Sequence, residues 1–168
     1  MQDWRRLVRM LQQRRIGFRI AETMRGSHHF VAGAGPEGEH PLDLELDWGC
    51  QRLSEWLNPF GARFLSNVAE GRIRVGGLVD AAPCRGRLDL RYLKDASIRY
   101  ELRFKGAHGR AYRYLGEKVN LRPWNLHRTH TTCYGTIVDL NTDRDVSKSI
   151  VYFSLGSLPA MLASFRLG

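Results

Sequence analysis

The chain has 168 residues, 43% of them hydrophobic, 26% charged and 10% aromatic, with a formal net charge of +9 at pH 7. That length suits one domain able to bury its own core, and the balance excludes an intrinsically disordered chain. No apolar run approaches the ~18 residues of a membrane-spanning helix, and three widely spaced cysteines, Cys50, Cys84 and Cys133, fit reduced thiols better than a disulfide framework. The arginine-rich excess favours acidic partners: nucleic acid, anionic lipid headgroups or an acidic protein.

In chain order, residues 3 to 15 predict a helix. Trp4, Leu7, Val8 and Leu11 fall at the i, i+3, i+4, i+7 spacing of one apolar face. Asp3 suits the N-cap and Gly17 the stop. Trp4, Arg5, Arg6 and Arg9 make this helix a candidate contact for an anionic membrane or a partner, against the plainer role of covering the domain's own core. The opening MQDWRRLVRMLQQRR lacks the apolar stretch and cleavage site of a secretory signal, so the expected location is cytoplasmic, peripheral at a membrane if the helix docks there.

Strands follow. Phe18 to Met24 reads as a short strand, and residues 26 to 41, rich in Gly and Pro, as its end plus a long loop. Leu42, Leu44, Leu46 and Trp48 alternate strictly with Asp43, Glu45 and Asp47. CQRLSEWLNP predicts a short helix or turn before Pro59. ARFLSNVAEG and RIRVGGLVD predict a hairpin about Glu70-Gly71, GRLDLRYL another strand, and residues 97 to 121 a hairpin turning at His108-Gly109. TTCYGTIVDL and KSIVYFSL are two more strands, and LPAMLASFRL predicts a C-terminal helix with Ser157 as N-cap and Pro159 near its start. The whole predicts one mainly β domain over 1–168. A basic helix spans 1–16, an antiparallel barrel of about eight strands and lipocalin-like size spans 17–156, and a helix spans 157–168.

These motifs, in this order, resemble a known domain. AETMRG (Ala21 to Gly26), LDLELDWGCQRLSEWL, IRYELRFKGAHGRAYRYLGEKVN, LHRTHTTCYGTI and SIVYFSLGSLPAMLASF are similar in sequence order to a β-rich accessory domain. That domain is attached to cholesterol-oxidase-like flavin oxidoreductases of the glucose-methanol-choline class. The resemblance covers most of residues 18 to 165. It implies association with enzymes acting on sterols and other hydrophobic alcohols, and no flavin site of its own. GAGPEG lacks the glycine spacing and strand-to-helix setting of a dinucleotide fingerprint, so no cofactor is expected. The chain departs from the pattern at LRPWNLHR, where the family's loop is acidic, and at His130, where the family has an acidic residue before the threonines.

The run HRTHTTC (His127 to Cys133) raises a metal site, but strand alternation sends His130 and Cys133 to opposite faces, and four ligands are not at hand. No metal is expected. His130, Thr132, Tyr134 and Thr136 share the other parity. Inside a barrel this row would orient the hydroxyl or carbonyl of a lipid or sterol; outside, it would be a solvated polar row. Cys133 with a nearby histidine is a conceivable nucleophile, yet a strand cysteine is more simply a small core residue, so an enzyme is disfavoured. Nucleic acid is disfavoured too, because Tyr100 and Phe104 share a face with Ile98 and Leu102 while Arg99 and Arg103 take the other. The expected function is a non-catalytic barrel module for a hydrophobic small molecule or lipid surface, serving a separate oxidoreductase or lipase. The alternatives are an adaptor without a pocket, a nucleic-acid binder, or a small enzyme using His130.

Overall fold

Period-two alternation carries most of the chain into strands. The computed structural model describes residues 16–119, 132–153 and 166–167. They form β1 (Phe18–Phe30), β2 (Glu39–Cys50), a one-turn helix α1 (Leu53–Trp56), β3 (Ser66–Val75), β4 (Val79–Arg91), β5 (Ser97–Lys105), β6 (Ala111–Lys118), β7 (Thr132–Asp139), β8 (Arg144–Phe153) and β9 (Arg166–Leu167). Each of β1 to β7 pairs antiparallel with the next, and β8 returns to pair with β1 along Met24 to Phe30. The result is a closed, eight-stranded antiparallel barrel, as the strand count predicts. β9 continues the line of β8 by pairing with Phe18 and Arg19.

The inward parity makes the core. Met24, Leu42, Leu44, Leu46, Ile73, Leu88, Tyr100, Leu102, Tyr114, Ile137 and Val151 are all at most 2% exposed and belong to one cluster. The outward parity of β2, Asp43, Glu45 and Asp47, is wet or half-wet as its alternation predicts. At the lower end, where β1 starts, Phe18 meets Trp48 and Trp56 edge-on at 6.0 and 5.2 Å. The Leu53 amide donates to Ile16 O, which ties α1 to this end.

Three expectations need correction. β1 runs on to Phe30 and β2 starts at Glu39, so the predicted loop over 26 to 41 shrinks to eight residues between them. Gly26 is there for close approach: a Cβ on it would lie 2.1 Å from Ile150 O. Gly71 likewise sits inside β3, where a Cβ would come within 1.9 Å of Glu45 O. The β3–β4 turn falls instead at Gly76-Gly77, with Gly77 at φ +78°. The helix predicted over 157–168 does not include Arg166 and Leu167, which are strand. They supply backbone partners to Phe18 and Arg19 of β1, beyond the reach of the β8 pairing, which ends at Met24. The predicted N-terminal helix with Trp4, Arg5, Arg6 and Arg9, and the segment 157–165, lie outside the described residues. No helix among the described residues is long and apolar enough to cross a membrane.

Candidate functional site

The barrel contains a buried ionic cluster that alternation alone places indoors. Glu22 precedes Met24 by two on β1, and Lys118 follows Tyr114 and Gly116 at the same parity on β6. Their side chains are 6% and 3% exposed, and Lys118 Nζ lies 2.6 Å from Glu22 Oε1. Tyr100 donates its hydroxyl to the same carboxylate, 3.1 Å from Oε2. The Lys118 ammonium also lies 5.3 Å from the Tyr100 ring centre and 5.8 Å from that of Phe153. Burial first, and then the Glu22 charge, push the Tyr100 phenol well above its ordinary value, so it remains a donor. The cluster neutralises itself: the carboxylate receives an ammonium and a hydroxyl, which is what a buried charge requires.

Next to it, Cys133 is fully buried and its thiol lies 3.7 Å from the Tyr114 hydroxyl. Burial pushes that thiol up to about 11, which keeps it protonated near neutrality. The Tyr114 ring lies across the Gly116–Gly135 pair. A Cβ on either glycine would come within 2.7 Å of a ring carbon.

At the upper end, His28 is fully buried. Its Nε2 lies 3.0 Å from Gly76 O, which can only accept, so Nε2 carries the proton. Nδ1 then accepts from the Ser147 hydroxyl at 2.7 Å. Burial lowers the His28 pKa, and His40 and His29 add to the lowering. The Phe30 and His40 rings complete the cap, centred 4.9 and 5.7 Å from His28.

The outer wall divides into two territories. Over β4 to β6 the charges largely interlock, as in Arg87–Asp89 at 3.0 Å and Arg99–Glu117 at 2.7 Å. Over β6 to β8 four outward positions are apolar or aromatic, with Glu117 and Lys148 at their border. Leu115 is 38% exposed, Tyr134 53%, Ile150 40% and Tyr152 52%. Tyr134 stands directly opposite Ile150, with Leu115 and Tyr152 on the diagonals, so the four form one panel. Thr132 and Thr136 lie within it, each half-buried. A groove of about 990 Å³ crosses this panel, with Gly116 and Gly135 among the residues that line it.

Thus Thr132, Tyr134 and Thr136 do share a face, but the outer one: Cys133 and Ile137 take the inside. The expected interior polar row is therefore an exterior row, because β7 enters with its odd-numbered residues toward the core. His130 lies outside the described residues. Glu22 and Lys118 are site residues that motif reasoning does not single out; their one sequence signal is a charge on the apolar parity of each strand. Among the described residues no three His, Cys, Asp or Glu side chains converge as metal ligands.

The fold and the surface define a closed antiparallel barrel whose core parity is filled by side chains and whose outer wall carries an apolar tyrosine panel. The chain matches no family model, no curated protein and no solved structure.

Proposed function

We propose that the protein is a non-catalytic adaptor that docks an apolar protein surface on its β6–β8 panel. The observation that carries this reading is the contiguity of Leu115, Tyr134, Ile150 and Tyr152 in register on a wall otherwise dominated by charge. Exposed apolar patches of this kind mark interaction sites, and tyrosines are favoured at the energetic centres of interfaces. An interior lipid or sterol is the less favoured form, since the row meant to orient it faces outward and the inward positions are occupied by core residues. The partner class rests on the resemblance of the strand motifs to the accessory domain: a separately encoded flavin oxidoreductase of the glucose-methanol-choline class.

Isothermal titration of the protein against such an enzyme from the same source is the test. Saturable binding is expected, weakened by about 2 kcal/mol, or roughly thirtyfold, when Tyr134→Ala is introduced. Undiminished binding by Tyr134→Ala combined with Ile150→Ala would remove the panel from the proposal. Failure of every such enzyme to bind would remove the partner class.

A further inference from the structure

Strands β4, β5 and β6 carry two contrasting rows across their outer face. In one, Asp89 stands opposite Arg99 and Arg99 opposite Glu117, so the signs alternate. Two rows further along the same strands, Arg85 stands opposite Arg103 and Arg103 opposite Arg113. Like charges directly opposed across an antiparallel pair destabilise it, and here three are aligned.

The local acids do little to offset them. Arg85 reaches Glu70 only at 4.0 Å, and Glu70 is held more closely by Arg19. Arg113 reaches Glu101 at 3.9 Å and Asp143 at 3.7 Å. Among the described residues no ion pair involves Arg103 or Lys105, its neighbour two residues along β5. Arg113 Nε is buried and has no hydrogen-bond partner among the described residues. A cleft of about 790 Å³ opens beside Arg113, with Arg85, Arg103, Lys105 and the Glu70 carboxylate among the residues at its edge and Cys84 and Phe104 beneath.

We infer that the Arg85–Arg103–Arg113 row is a binding site for a phosphate-bearing ligand. Guanidinium groups present forked donors that match phosphate oxygens two at a time. Neighbouring strands lie about 4.8 Å apart, so the row spans about 10 Å. That is the reach of one or two phosphate groups, not of a polymer backbone. An anion bound there replaces mutual repulsion by charge-assisted contacts. The site is separate from the tyrosine panel and does not depend on the adaptor reading.

Two arms of one experiment identify the source of the phosphate. The full chain is titrated calorimetrically with inorganic pyrophosphate, ionic strength being held constant with sodium chloride. It is also sedimented with phosphatidylcholine vesicles with and without phosphatidic acid. Saturable binding in the first arm assigns a free phosphorylated ligand; sedimentation that requires phosphatidic acid in the second assigns a lipid headgroup. In either case Arg103→Gln is expected to weaken the interaction at least tenfold, and Arg85→Gln to act in the same direction. Arg103→Gln removes a repelled charge with no ion pair to lose among the described residues, so without ligand its Tm is expected to rise by about 1–2 °C. Absence of binding in both arms, or binding that Arg103→Gln leaves unchanged, overturns the site.

Discussion

Glu22 and Lys118 are two residues on which the barrel's interior electrostatics turn. Either charge alone, this deeply buried, would be costly; together with the Tyr100 hydroxyl they are satisfied. Lys118→Met strands a carboxylate in the core and is expected to cost about 3–5 kcal/mol. Adding Glu22→Leu is expected to recover most of that loss, because an apolar pair of similar volume replaces a desolvated ion pair. Urea unfolding of the two singles and the double reads the coupling directly. A single variant as stable as the parent would show that these charges do not depend on each other.

His28 sets a different expectation at the same scale. Its folded pKa lies below its ordinary 6.5, so the unfolded chain takes up the proton first. Stability linked to this group is therefore complete above pH 6.5 and is lost as pH falls from there through the folded value. The nearby His40 and His29 add to the lowering of its pKa. Urea midpoints measured between pH 7.5 and 5 are expected to fall in the parent, and to fall less in His28→Gln. Equal slopes would show that another group governs the acid limb.

Among the elements, β3 shows what alternation can and cannot convey. Its strand character is legible in Val68, Ile73 and Val75, but Gly71 invites a turn that the structure places at Gly76-Gly77. The two kinds of glycine look alike in sequence; the difference lies in whether another backbone comes close. At Gly71 it does, so Gly71→Ala is expected to cost about 2–3 kcal/mol by pushing β2 and β3 apart. Thermal unfolding measures this, and a loss under about 0.5 kcal/mol would contradict a close-packed strand position. β1 follows the same logic: Gly26 reads as punctuation, yet it admits β8. Parity over the first part of β7 was legible, since Thr132, Tyr134 and Thr136 do share a face; the irregularity at Ile137-Val138, after which alternation of burial fails, was not. Which face was not, because the register that decides it depends on β6 and β8 together. Glu22 and Lys118 were legible in principle, one on an alternating strand beside Met24, the other two residues beyond Gly116.

For the molecule as a whole, strand number, neighbour order and a barrel were readable from turn spacing, while the register of its closing seam was not. Closure depends on Met24 to Phe30 meeting Ser147 to Phe153, a pairing across more than a hundred residues that no local pattern announces. Once made, it spends the hydrogen-bonding capacity of the sheet's rims. Among the described residues this leaves a visitor little strand margin to extend. The proposed recognition runs instead through outward side chains such as Tyr134 or Arg103. Those positions alternate with core residues and leave the interior untouched when they change, so new specificities can be written on this wall without rewriting the molecule that holds it up.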